Sequence, residues 1–214
     1  PIRVRPCSRT LKHTVHLDKV KPERFLLPIS KKKTHVIEIH AGQITTTDLT
    51  ISLPPTLNFE PFGGYSKIAA VERHHNTGKI GVAVAKGYGI KNGAVASSVS
   101  HDSHNIIVIG DNDVDMAIAV NEIIRTQGGY TVVENGKVYE TLALPIMGLM
   151  SDVGFENVNE ALQRMIQKAH QMGVAAQIDP FVTLSFLALP VIPELRITPR
   201  GICKMTAKGP VILS

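Results

Sequence analysis

Two histidines three residues apart, with an aspartate between them and an asparagine after, stand in the stretch SSVSHDSHN, residues 97–105. Brought together, His101, Asp102 and His104 have the types needed to move protons or hold the polar edge of a substrate, because imidazole titrates near neutrality and a carboxylate can orient it. The same side chains are also metal-ligand types. Against both stands a plainer reading, a polar turn in which Asp102, Ser103 and Asn105 bond to nearby backbone groups. A second cluster, ERHHNTGKIG, carries Glu72, Arg73, His74 and His75. On an extended strand Glu72 and His74 would face one side, Arg73 and His75 the other. Its plainer reading is an ordinary ion pair at a strand end. His35 and His40, five apart in HVIEIH, point to opposite faces of one straight strand and are not expected to share a metal.

The elements that must position these residues are legible from periodicity. HVIEIH alternates as a half-buried strand does, and AGQITTTD turns the chain into another. SKIAAVER and KIGVAVAKGYGI read as strands, as does GAVASSVS. NIIVIG, residues 105–110, is a short continuous apolar run of the kind covered on both faces, which puts it at the centre of a sheet. Asn112 or Asp113 can then cap a helix whose apolar positions are Val114, Ala117, Ile118, Ile123 and Ile124, ended by Gly128-Gly129. YTVVENGKVYETLALP predicts a hairpin about Asn135-Gly136, and strand, helix, strand predicts at least one right-handed crossover. A second helix carries Phe155, Val158, Leu162, Met165, Ile166 and Ala169 along one face and stops at Gly173. DPFVTLSFLALPVIPELRIT is either a short helix or a buried strand. The expectation is an α/β fold of mixed α+β type: a mixed sheet flanked by at least two long helices, with a short β-rich lead-in.

Several chemistries lack their residues. There is no Cys-x-x-Cys for a cytidine-type zinc deaminase, no HEXXH helix, no G-x-S-x-G elbow and no phosphate loop with Gly-Lys-Ser/Thr. Gly87, Gly89 and Gly93 in GYGIKNG have the wrong spacing for a dinucleotide fingerprint and read as a tight turn. The methionines read as core filler.

The net charge of +5 over 214 residues is concentrated early, in PIRVRPCSRTLKH and SKKKTH, without interleaved aromatics. It reads as a solvated basic edge, with no nucleic acid as partner. Cys7 and Cys203 are too few for a disulfide scaffold or a cysteine zinc site, and a reducing cytoplasm fits them. No window reaches the roughly 18 apolar residues of a membrane span. The first residue is Pro1, and residues 1–34 read as a connector from something that precedes them.

The run VERHHNTGKIGVAVAKGYGIKNGAVASSVSHDSHNIIVIGDNDVDMAIAVNEI, followed by LPIMGLMSD and PFVTLSFLALPVIPELRIT, resembles the C-terminal domain of bacterial and archaeal adenine deaminases. The likeness covers nearly the whole chain from His35, with small departures at Asn76, Ala83 and Ala85. It implies hydrolytic deamination of adenine to hypoxanthine and ammonia in purine salvage. It implies also that a manganese or iron pair sits in a preceding amidohydrolase barrel; none is expected in this chain. No His-x-His pair occurs here, and 214 residues cannot hold both this domain and a barrel of about 250. On this resemblance residues 1–34 are a connector from the barrel and 35–214 the companion domain, with the barrel in cis and further copies in a homo-oligomer as partners. His101, Asp102 and His104 are then expected in a supporting catalytic role at the barrel mouth, and Ser100, Ser103, Asn105, Glu72 and His74 around the substrate. A structural or oligomerising module, or a non-catalytic purine-binding one, is the alternative.

Overall fold

NIIVIG becomes a strand buried on both faces because different elements cover its odd and even positions. In a computed structural model, which describes residues 8–30 and 33–213, this strand is β6 (Ile106–Gly110). It lies in an eight-stranded sheet with β1 (Thr34–Ile39), β2 (Thr46–Ile51), β3 (Tyr65–Val71), β4 (Ile80–Lys86), β5 (Gly93–Ser97), β7 (Gly129–Glu134) and β8 (Lys137–Ala143), in the order β2-β1-β4-β3-β6-β5-β7-β8. Only the β1–β4 pair is parallel. The sheet is therefore mixed.

Strand alternation divides the core into two layers. Ile68 and Ala70, Ile107 and Ile109, and Val95 face the helices α2 (Phe155–Gln171) and α3 (Pro180–Leu187), meeting Met165, Ala169, Phe181, Leu184 and Leu187. Ala69 and Val71, Ile106 and Val108, and Ala94 and Ala96 face the other way, onto α1 (Asp113–Thr126) through Met116, Ala117, Val120 and Ile123. The lead-in completes that second layer with Val15, Val20 and Phe25. Buried Lys67 fastens it further, its Nζ donating to the Phe25 carbonyl at 3.1 Å and pairing with Asp113 at 2.5 Å. Lys31, Lys32 and Cys7 lie outside the described residues.

Helix α1 starts where the polar cap dictates. Asn112 is extended, and its side chain accepts from the Asp115 N–H at 2.8 Å. The helix carries the chain from β6 to β7, which run parallel to each other with β5 between them. Asn135 and Gly136, at φ 49° and 77°, make the two-residue turn to β8. The segment after α2 resolves into both expected alternatives: α3, then β9 (Leu195–Thr198) in a three-stranded sheet with β10 (Gly201–Thr206) and β11 (Gly209–Ile212).

Two residues expected on buried helix faces are exposed. Val114 (53%) lies in the first turn of α1 on the side away from buried Met116 and Val120, and Phe155 (77%) is the first residue of α2. Periodicity finds the face of a helix but not where along its length the neighbouring layer begins.

Candidate functional site

The register brings one set of loops together. Val71 pairs with both Ile80 and Ile106, Ser97 with Ile107 and Tyr130, and Gly129 with Ala143. β3, β5 and β8 therefore end, and β4, β6 and β7 begin, at the same edge of the sheet. Loops 72–79, 98–105 and 144–154 all emerge there.

Ser100 to Asn105 form a tight turn held from inside. Ser100 is fully buried; its Oγ donates to the Asn105 carbonyl at 2.6 Å, and its carbonyl accepts from the His104 N–H at 2.6 Å. The Asn105 side chain accepts from the Arg73 N–H at 3.3 Å and donates to Ser103 Oγ at 3.2 Å. This inner half behaves as a satisfied polar turn. The outer half differs. His101 and His104 are half-buried, Asp102 and Ser103 exposed. The rings of His101 and His104 lie 5.9 Å apart near edge-on, and His101 rests on Phe186 of α3 at 5.1 Å while its N–H donates to the Ser185 carbonyl. His104 Nδ1 is buried with no hydrogen-bond partner among the described residues. Burial first, then His101 and the cation of Arg73, hold this imidazole below its ordinary range, with the Asp102 charge opposing them. The neutral form of His104 is thereby favoured.

His74 reaches the turn, its Nε2 lying 2.8 Å from the Ser103 carbonyl. Glu72 turns elsewhere. β3 stops at Val71, so residues 72–75 do not alternate as a strand, and the carboxylate folds back over its own loop. It accepts from the N–H groups of His74 (2.6 Å), His75 (2.9 Å) and Thr77 (3.1 Å) and from the Thr77 hydroxyl (2.9 Å). Burial raises its pKa, but these donors outweigh it and bring the group down to about 2. His35 and His40 find separate partners, Asp48 and the Thr47 hydroxyl, each at 2.7 Å.

The comparison with known families is specific. Residues 43–208 match the family described as adenine deaminase C-terminal domain. The chain belongs to that family. It is 47% identical over 202 residues to an adenine deaminase of Desulfitobacterium hafniense strain Y51, covering 94% of this chain and 36% of that protein. To the adenine deaminase of Bacillus subtilis strain 168 it is 43% identical over 181 residues, covering 83% and 31%. To adenine deaminase 2 of Carboxydothermus hydrogenoformans it is 40% identical over 216 residues, covering 97% and 37%. The chain thus spans about a third of the length of these curated relatives.

Within this adenine deaminase C-terminal domain, no three His, Cys, Asp or Glu side chains among the described residues converge as metal ligands. The inward Nδ1 of His104 and the hydrogen-bonded Glu72 carboxylate are turned to the protein itself, so the local donor set does not fit a metal pair. Three residues of the site escaped the sequence reading: Arg73 as a buried group, Gly148 and Phe186. Arg73 and Phe186 contact the turn from distant segments and Gly148 lies against Arg73, and no local pattern signals such contacts. No described helix is long and apolar enough to cross a membrane.

Proposed function

We propose that this chain is the companion part of an adenine deaminase, the whole protein converting adenine and water to hypoxanthine and ammonia in purine salvage in the cytoplasm. The supporting observation is the family match over residues 43–208 together with a turn at one edge of the sheet on which Asp102 is exposed and His101 and His104 are half-buried. The manganese or iron pair belongs to a preceding amidohydrolase barrel and would supply the attacking hydroxide there. This chain's residues do other work. The 100–105 turn faces the mouth of the barrel, where His104, its neutral form favoured, accepts or donates a hydrogen bond beside the purine, and His101 and Asp102 orient it and exclude water. Ser103 and His74 line the same edge; Ser100, Asn105 and Glu72 shape it from within. The protein assembles as a homo-oligomer.

The test is His101→Ala and His104→Ala in the full-length protein. Turnover of adenine falls, on the order of 10²-fold for loss of a proton-handling group, with the fold intact by circular dichroism. Wild-type turnover in both variants would leave the turn a structural feature, the reading that its satisfied inner half favours.

A further inference from the structure

Arg73 is 2% exposed, and among the described residues no carboxylate hydrogen-bonds to its side chain. Its Nε donates to the His104 carbonyl, Nη1 to the carbonyl (2.9 Å) and hydroxyl (3.3 Å) of Thr14, and Nη2 to the Met147 carbonyl at 3.1 Å. The Arg73 backbone continues the pattern: its N–H donates to the Asn105 side chain, and its carbonyl accepts from His16 at 2.7 Å. One residue therefore ties together the 100–105 turn, the lead-in and the 144–154 loop. Gly148 lies against the guanidinium, where a Cβ would come within 3.0 Å of Cζ, Nη1 and Nη2, and its φ of +74° disfavours any side chain. Ser98 holds that glycine in turn, its Oγ donating to the Gly148 carbonyl at 2.6 Å.

Burying a guanidinium without a carboxylate is costly, and only a full set of acceptors offsets it. Here every acceptor of the side chain among the described residues is a carbonyl or hydroxyl, with the charge of the neighbouring Glu72 as the one carboxylate influence on the cation. A planar fork meeting three segments at fixed angles is also a device that an ammonium cannot copy.

We propose that Arg73, seated on Gly148, is the positioning residue of the proposed site: it sets the place of His104 relative to the lead-in and the Met147 loop. The inference rests on the reading of the 100–105 turn as facing the substrate. The charged or titratable groups acting on His104 are His101, Asp102, His74 and Arg73. Of the cationic ones, Arg73 is the one charged at every working pH.

The experiment uses full-length protein carrying Arg73→Met or Arg73→Lys, with two readouts. The first is kcat and KM for adenine across pH. The second is independent of catalysis: the pH dependence of His104 carbethoxylation by diethyl pyrocarbonate, which modifies neutral imidazole, resolved by peptide mass spectrometry. In Arg73→Met kcat falls about tenfold or more while KM changes little, since misplacement by about 1 Å can cost on the order of 10²-fold. Losing the cation favours the protonated imidazole, so the His104 midpoint moves up, and the acid limb of the kcat profile moves with it. Arg73→Lys keeps the charge and loses the fork, lowering kcat with the midpoint near that of the wild type. An unchanged His104 profile in Arg73→Met overturns the proposal. If Arg73→Met does not fold, wild-type kcat in Arg73→Lys overturns it. If His104→Ala leaves turnover intact, the functional reading fails, yet the carbethoxylation profile still decides whether Arg73 governs His104.

Discussion

Glu72→Gln isolates one carboxylate whose worth can be worked from its contacts. Two oxygens receive four donors from residues 74–77, and the acid titrates near 2 against an ordinary 4.5. At about 1.4 kcal/mol per tenfold in proton affinity, that gap corresponds to on the order of 3 kcal/mol of stability from the ionised form. The amide replaces one oxygen with an NH2 group, which faces either the Thr77 N–H and hydroxyl or the N–H groups of His74 and His75, setting donor against donor. Because the folded carboxyl resists protonation more than the unfolded one, its contribution is full above about pH 4.5 and disappears as pH falls through about 2. Urea unfolding near pH 7 should show the variant less stable by about 2–3 kcal/mol, and the difference should shrink steadily below about pH 4.5. Equal stability near pH 7, or a difference that does not change with pH, refutes the assignment of Glu72 as the cap of its own loop. A large rise in KM for adenine at unchanged stability would instead place the carboxylate on substrate.

Two further substitutions test the elements beneath the site. Asn112→Ala removes the cap of α1 and the bonds from its amide to Asp111 and Asp115 at 3.0 and 2.9 Å. The expected loss is about 1 kcal/mol, up to about 2, read as a lowered urea midpoint at constant m. Met165→Ala opens a cavity between α2 and the sheet, where Met165 is fully buried, and should cost about 2–5 kcal/mol. A loss under about 0.5 kcal/mol would show that α2 collapses onto the space.

The strands and helices follow from the sequence because their cause is local. Alternation in SKIAAVER and the continuous run in NIIVIG state which side chains leave water, and Asn112 and Asn135-Gly136 place a cap and a turn by their own backbone chemistry. The resemblance of the central motifs was equally legible, since it needs only residue identities in order, and the family match confirms it. The limits of the buried helix faces were not, as exposed Val114 and Phe155 show, because a helix does not encode where its neighbour ends.

At the site the division is sharper. SSVSHDSHN by itself allowed a proton-handling cluster or a satisfied turn; Ser100 and Asn105 hold the turn from inside, while Asp102 is exposed and His101 and His104 are half-buried. Which residue does which depends on burial, and burial depends on Arg73, Gly148 and Phe186 arriving from other parts of the chain. The sequence alone determined most strands, the two long helices and the family, because periodicity and motif order are properties of neighbours along the chain, whereas the strand order and the helix α3 came from the fold. Tertiary structure alone decided that Glu72 caps its own loop and that a buried cation sits beside His104, because hydrogen bonding and desolvation are properties of neighbours in space.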